Sequence, residues 1–248
     1  MDRCPMQDPQ TAHNIAEATA KINLSNTRLS SMDCATISYA VRSRSNPLET
    51  LALNNCGLRQ REVKELVPAM EMCKELSLDR NEFADLGMRH LAEGLAKGGR
   101  HLKELRLYRC GLTEESGADL RDIINSCHGL RKLLLSHNVL KDAGIKILAE
   151  GTSGGGVHLE ELDLWDCSLT DDSGSALRDI AVNCCHLRKL KLNDNKLMDA
   201  GMRMLADGVS QGKGRLEELH IWNNSLTEDS GPALYDIVAA GQGLKELG

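Results

Sequence analysis

The stretch LEELDLWDCSL, residues 159–169, decides the fold of this 248-residue chain. Its leucines alternate with polar residues, which is the period-two pattern of a short strand with one face in a core. Other stretches share its pattern, L-x-x-L-x-L-x-x-[N/C]-x-L, at steps of 28 or 29 residues: LKELRLYRCGL (102–112), LRKLLLSHNVL (130–140), LRKLKLNDNKL (187–197) and LEELHIWNNSL (216–226). Because two unlike units alternate, the true period is 57 residues.

Each strand motif is followed by a segment with helical periodicity, such as Leu120, Ile123 and Ile124. Hydroxyl or carboxylate side chains are expected to cap these helices at Thr113, Thr170, Thr227, Asp142 and Asp199. A unit of one strand and one helix cannot bury its own apolar face, so neighbouring units must stack. The sequence therefore predicts a parallel sheet with a layer of helices on one side, bent toward the strands because helices are wider than the strand spacing.

The repeats organise the chain into an N-terminal segment and one domain. Residues 1–20 are predicted to be partly helical, and residues 21–248 to form a single domain of about eight repeats. The repeats start near residues 19, 48, 73, 102, 130, 159, 187 and 216, with a truncated ninth from residue 244. Because Leu244 and Leu247 have no polar cap to shield them, we expect the chain to be part of a longer polypeptide.

These motifs resemble the leucine-rich repeat, specifically its ribonuclease-inhibitor-like subfamily with alternating 28- and 29-residue units. The resemblance covers about residues 20 to 248. It implies an α/β solenoid, a horseshoe with a parallel β-sheet on the concave face and α-helices on the convex face. It also implies a structural hydrogen-bonded ladder at the ninth motif position, formed by Cys56, Asn81, Cys110, Asn138, Cys167, Asn195 and Asn224.

Composition narrows the functional classes. Asp and Glu (36) outnumber Lys and Arg (30), which disfavours nucleic acid as a partner. No apolar run approaches the ~18 residues of a membrane span, and the N-terminus MDRCPMQDPQ lacks the hydrophobic stretch of a secretory signal. The nine cysteines are an odd number and include no CxxC pair, which is typical of a reducing compartment. We therefore predict a cytoplasmic protein without membrane insertion.

The search for catalytic chemistry finds only features that the repeat explains. GVSQGKGR (208–215) is one residue short of a phosphate-binding loop and follows a helix instead of a strand. His101 and His158 are 57 residues apart, so their spacing is inherited from the repeat. No nucleophile, base and orienting residue can be assembled. The sequence predicts that the chain is not an enzyme and has no cofactor or metal site.

The charged positions of the strand motif neutralise one another. The second and third positions alternate in sign from unit to unit, so that Glu161 is expected between Lys132 and Lys189 on neighbouring strands. Pairs of this kind on a solvated face contribute little to binding. A self-neutralising face is therefore the favoured interpretation of these positions.

The seventh position is different, because it places a large aromatic on every second strand. Only six of the 248 residues are aromatic, and three of them are Tyr108, Trp165 and Trp222 at this position. They are expected about 10 Å apart on the concave floor, given the ~4.8 Å strand spacing. They either cover the apolar stems of charged neighbours or, as we favour, form a protein-binding surface. The fifth-position row beside them is Arg106, Leu134, Asp163, Lys191 and His220.

The resemblance implies three alternative functions. The favoured one is the sensing or autoinhibitory region of an intracellular innate-immune receptor of the NOD-like class. The first alternative is a free-standing cytosolic ribonuclease inhibitor, which would need an acidic concave surface, whereas the exposed positions here are nearly neutral. A Ran-type GTPase-activating protein is disfavoured, because the required charged constellation at the N-terminal loop tips has no match in this chain.

Overall fold

The structure of this chain is a computed structural model that describes residues 10, 14, 19–154, 156–240 and 243–248. Most of the predicted partly helical segment, residues 1–20, lies outside the described residues. Where the structure is described, no helix has both the length and the apolar character that a bilayer span requires.

The strands form one open sheet in which every neighbouring pair is parallel and the strand order is the chain order. Since strands of adjacent repeats lie side by side, equivalent residues are in register, as in Lys132–Glu161–Lys189–Glu218. The strands are β1 (Lys21–Asn23), β2 (Leu48–Ala52), β3 (Cys73–Ser77), β4 (Glu104–Arg106), β5 (Lys132–Leu134), β6 (Glu161–Asp163), β7 (Lys189–Lys191), β8 (Glu218–His220) and β9 (Glu246–Leu247).

A helix follows each of the first eight strands and packs against the helices of the neighbouring repeats. The helices are α1 (Ser31–Arg42), α2 (Gln60–Met70), α3 (Ala84–Gly98), α4 (Gly117–Ser126), α5 (Lys141–Glu150), α6 (Gly174–Asn183), α7 (Met198–Gln211) and α8 (Gly231–Ala240). A short 3-10 turn precedes α4, α6 and α8. The alternation of helices with and without this turn is the structural form of the 57-residue period. The predicted α/β solenoid is confirmed.

The core lies between the sheet and the helices. In the repeat that begins at residue 159, the strand leucines Leu162 and Leu164 are fully buried, and so are Leu177 and Ile180 of α6. The motif leucines thus face the helices, and the side chains that alternate with them face the other way. We call the face of the sheet that points away from the helices the concave face.

Hydroxyl groups cap three helical starts as predicted. The side chains of Thr113, Thr170 and Thr227 accept a hydrogen bond from the backbone N–H two residues later. The prediction for Asp142 and Asp199 was right only in part: both place a negative charge in the first turn of α5 and α7, but neither helix begins with a side-chain cap. Their carboxylates instead accept bonds from the backbone N–H and the hydroxyl of the threonine 28 residues later. The aspartates therefore tie neighbouring repeats together.

Glycines near the helix starts allow neighbouring repeats to pack closely, with one exception. A Cβ on Gly117 would lie 2.8 Å from the carbonyl oxygen of Gly144, and one on Gly174 would lie 3.0 Å from the Cα of Gly201. At Gly231 the same atom would meet nothing within 4 Å among the described residues, so packing does not explain that glycine.

The ninth-position residues fix the turn after each strand. Asn138 is 1% exposed; its carbonyl oxygen accepts bonds from the N–H groups of Cys110 and Leu112, and its amide donates to the carbonyls of Leu107 and Leu135. Asn81, Asn195 and Asn224 form equivalent bonds. Thiols occupy the alternate units, where Cys56, Cys110 and Cys167 donate to a carbonyl of the preceding strand region.

Candidate protein-binding site on the concave face

A groove of about 610 Å³ runs across the concave face. Side chains from the repeats between β1 and β7 line it, including six of the residues predicted to bind a partner: Arg106, Tyr108, Leu134, Asp163, Trp165 and Lys191. The other two predicted residues, His220 and Trp222, are not part of its lining. The sequence thus placed most of the predicted surface in one groove, but not all of it.

Three rings form a continuous row, in which Tyr108 and Trp165 line the groove and His137 lies between them. The ring of His137 lies 4.9 Å from that of Tyr108 in an edge-on arrangement, and 4.9 Å from that of Trp165 in a tilted one. The Nδ1 atom of His137 is 2.8 Å from a carboxylate oxygen of Asp166, which orients the imidazole. Sequence reasoning expected the rings to be separated by about 10 Å, and it missed the histidine that bridges them.

Hydrogen bonds hold Trp165 in its half-buried position. Its indole Nε1–H donates to Asp194 at 2.6 Å, and its backbone N–H donates to Asp163 at 3.1 Å. Bonds from Asn223 and then from Trp165 hold the pKa of Asp194 below its ordinary value, so this carboxylate is charged at neutral pH. The indole ring is therefore presented to the groove in a fixed orientation.

The fifth-position row is less exposed than the sequence predicted. Arg106 is exposed, but Leu134 is 8% exposed and Asp163 is 5% exposed. Asp163 is covered because Lys191 lies 3.2 Å from its carboxylate and because the Trp165 backbone bonds to it. Leu134 and Asp163 therefore form the floor beneath the rings, and Asp163 positions Trp165.

Charged groups on the groove floor are mostly paired. Lys132 lies 3.5 Å from Glu104, and Arg106 lies 3.2 Å from Asp79. Glu161 was expected to pair with Lys132 and Lys189. It lies 4.0 Å from Lys132, but its second partner is Lys191 at 3.3 Å, because Lys189 pairs with Glu218. The floor is self-neutralising, as the alternation of charge predicted.

A second row follows the aromatic positions along the rim of the groove. Its residues occupy the eighth motif position, and all have left-handed backbone with φ between 50° and 57°: Asn55, Arg80, Arg109, His137, Asp166, Asp194 and Asn223. From Arg80 to Asp194, each backbone N–H donates to the seventh-position carbonyl of the next repeat. We call this set the rim row. Asn, Asp and His are the non-glycine residues that tolerate this conformation best, and their recurrence here was a signal available in the sequence.

Positive and negative side chains occupy different parts of the rim row. Arg80 and Arg109 lie over the ring of Tyr108, with guanidinium carbons 5.4 Å and 5.7 Å from its centroid. Asp166 and Asp194 lie beside Trp165 at the other end. In the described part of the chain neither arginine forms an ion pair, so their charges are available to a partner.

Trp222 lies apart from the other two aromatics of its series. Its side chain is 53% exposed and borders a separate hollow of about 330 Å³ with Leu226 and Leu247. In the preceding repeat the eighth motif position is Asp194, which accepts hydrogen bonds from the indole of Trp165 and the amide of Asn223. Because no ring bridges the gap at Asp194, the aromatic row ends at Trp165.

Comparison with known proteins agrees with this geometry. Residues 157–177 and 183–206 match the family described as Leucine Rich repeat. The chain is 34% identical over 202 residues to mouse ribonuclease inhibitor, and the match covers 80% of this chain and 44% of the mouse protein. It is 30% identical over 203 residues to human NACHT, LRR and PYD domains-containing protein 3, covering 81% of this chain and 20% of the human protein. The chain thus spans less than half the length of these relatives.

A solved structure supports the fold at lower sequence similarity. The crystal structure of the TLR13–ssRNA13 complex superposes on 97% of this chain and 33% of that chain, with a TM-score of 0.53 and 18% identity. That likeness concerns the fold alone. The 57-residue alternation, the parallel sheet, the ninth-position residues and the relatives agree on one assignment: the chain is a leucine-rich-repeat solenoid, and its repeats are of the ribonuclease-inhibitor-like type.

Proposed function

We propose that this chain is a non-enzymatic protein-recognition module that binds a protein partner on its concave face. The observation that carries the proposal is the row of Tyr108, His137 and Trp165, packed ring to ring, in which Tyr108 and Trp165 line a groove of about 610 Å³. Partly exposed aromatics among charged groups are typical of the residues that dominate protein interfaces. Two of the six aromatic residues of the chain, Tyr108 and Trp165, line this one groove, which favours a binding role.

The charges of the rim row define the partner's chemistry. A partner segment lying along the row would place a carboxylate near Arg80 and Arg109, an apolar or aromatic group on the rings, and a cation near Asp166 and Asp194. Because the charges of the groove floor are already paired, complementarity depends on the rim.

We further propose that the module is the sensing or autoinhibitory region of a longer cytoplasmic receptor of the innate immune system. Its similarity to human NACHT, LRR and PYD domains-containing protein 3 supports this, because the match covers most of this chain but a fifth of that protein. The partner would then be another protein or another domain of the same polypeptide, with no role for nucleic acid or membrane insertion.

Inhibition of a ribonuclease is the second candidate function, and the 34% identity to mouse ribonuclease inhibitor favours it. The test is an activity assay of a pancreatic-type ribonuclease with increasing amounts of this chain. Under the receptor proposal we expect no inhibition at micromolar concentrations. Inhibition that is lost in Trp165→Ala would assign the groove to ribonuclease binding instead.

Two tryptophans 57 residues apart provide a matched test of the concave-face proposal. Proteins from a cell lysate are captured on the immobilised chain and identified by mass spectrometry, using wild type, Trp165→Ala and Trp222→Ala. We expect partners that bind to wild type and Trp222→Ala and are lost with Trp165→Ala, because only Trp165 belongs to the aromatic row. Capture of the same partners by all three proteins would refute the proposal.

Loss of folding must be separated from loss of binding, since Trp165 is half-buried. The variant Trp165→Phe keeps a ring against His137 but removes the donor to Asp194. A double charge reversal, Arg80→Glu with Arg109→Glu, leaves the core unchanged, because both side chains are exposed. We expect this reversal to abolish binding of the same partners while circular dichroism remains that of wild type.

A further inference from the structure

The alternation of charge along the concave face breaks at its C-terminal end. At the third motif position, Glu161 lies in register between Lys132 and Lys189. Glu218 has Lys189 on one side, but its partner on the other side is Glu246 of β9. Two carboxylates on neighbouring strands repel each other unless a cation lies between them.

An imidazole nitrogen points into this break. His220 lies two residues after Glu218 on β8, so the two side chains share a face of the sheet. The Nε2 atom of His220 is 3.7 Å from Glu218 Oε2 and 3.9 Å from Glu246 Oε1. This atom is shielded from solvent and has no hydrogen-bond partner among the residues that the structure describes. A buried polar atom without a partner is rare, and here it faces two carboxylates.

The distances fit a shared ion better than a direct contact. Both separations are longer than a hydrogen bond. Ligand atoms bound to one tetrahedral zinc ion lie about 3.3 Å apart, since each bond is about 2.0–2.2 Å long. The three ligand atoms all lie within 4.8 Å of one another, so small side-chain rotations would bring them to that spacing.

The charge balance also favours a divalent cation. Lys189 pairs with Glu218 and leaves Glu246 as a net negative charge next to the imidazole. One imidazole nitrogen with two carboxylates is a donor set that suits zinc, whereas magnesium and calcium prefer oxygen alone.

We propose that Glu218, His220 and Glu246 form a binding site for one zinc ion at the C-terminal end of the concave face. Three protein ligands leave a fourth position open for water or for a donor group of a partner protein. The site lies outside the lining of the groove around Trp165, so the result of a zinc-binding test is independent of whether that groove binds a protein.

Zinc titration by calorimetry tests the site in the full chain. We expect one saturable site in wild type. His220→Asn keeps a polar side chain but has no atom at the Nε2 position, and Glu246→Gln changes an exposed residue near the chain end. Each should weaken binding at least about tenfold, as the loss of even an indirect metal contact does. Cobalt provides a second measurement, because its visible absorption bands should appear in wild type and be absent in His220→Asn.

The control variant changes two residues elsewhere on the chain that could capture zinc. His158 and His186 lie with ring centroids 5.0 Å apart, and the exposed Cys185 is adjacent in sequence. The variant His158→Asn with Cys185→Ser should bind zinc as wild type does. The proposal is overturned if wild type has no saturable site, if His220→Asn binds zinc as tightly as wild type, or if the control variant loses binding.

Discussion

Asn138→Ala tests how the turns of the repeat are held. Asn138 is 1% exposed and forms bonds of 2.7–3.1 Å to two backbone N–H groups and two carbonyl groups. Alanine cannot replace any of these bonds, and the two N–H groups, of Cys110 and Leu112, would lose the acceptor that the asparagine provides. The side chain thus connects two neighbouring turns at once.

The magnitude follows from the number of groups left without a partner. Each buried polar group without a hydrogen bond costs about 1–3 kcal/mol. Leu135 retains a contact with the thiol of Cys167, so the loss concerns mainly Cys110, Leu112 and Leu107. We expect Asn138→Ala to lower the free energy of unfolding by about 3–5 kcal/mol, near the upper end for a single substitution.

Asn193→Ala is the matched control. Asn193 is 6% exposed, but its side chain accepts a single described bond, from the backbone N–H of Trp222. We expect its loss to cost about 1 kcal/mol. Urea unfolding followed by circular dichroism gives both values, and hydrogen exchange at Cys110 and Leu112 reports local opening, which matters because repeat proteins can unfold in parts. Equal destabilisation by the two variants would refute the assignment of the ladder as the main support of the turns.

Three further outcomes follow from individual side chains. Ser168 has a left-handed backbone with φ 59°, and the equivalent residue of the repeat 57 positions earlier is Gly111 with φ 73°. Because glycine adopts this conformation at lower cost, Ser168→Gly should raise the free energy of unfolding by about 0.5–1 kcal/mol, and Gly111→Ser should lower it by as much. Urea denaturation measures both changes. Hydrogen bonds from Ser230 and then from Thr227 lower the pKa of Asp199, so its stabilising effect is present above the unfolded pKa of about 4 and is lost as the pH falls through the folded pKa. The urea midpoints of wild type and Asp199→Asn should therefore differ at pH 7 and converge below about pH 4; a constant difference would contradict this. Burial raises the pKa of Cys127 to about 11 and of Cys184 to about 12, whereas Cys185 is exposed. Among the described thiols, iodoacetamide should therefore modify Cys185 first in the native protein, which mass spectrometry can map.

The architecture was predictable because it depends on local pattern. Period-two leucines define the strands, helical spacing defines the helices, and the 57-residue period places equivalent residues side by side in register. Thr113 and its equivalents cap helical starts because a hydroxyl before an acidic pair acts within a few residues. The role of Asp142 was not predictable in the same way, because its partner is the threonine of the next repeat.

The candidate site was predictable only in part, for geometric reasons. Alternation along a strand shows that Leu134 and Asp163 face away from the core, but it does not show that neighbouring side chains cover them. His137 was missed because the period-two rule ends with the strand, and a left-handed residue turns its side chain in a direction that the rule does not give. The same limit explains Trp222, whose separation from Trp165 depends on Asp194.

The rim row joins stability to recognition in one backbone conformation. The left-handed turn at Arg109 lets its backbone N–H donate to Ser136 of the next repeat, and the same turn places its side chain over Tyr108. Because the bond between repeats uses only backbone atoms, the side chain can change sign without loss of that bond. Charge reversals at Arg80 and Arg109 therefore alter what the groove attracts while the solenoid stays intact, whereas a substitution at Asn138 alters the solenoid itself. This separation is why a loss of binding in the arginine variants would report on the surface and not on the fold.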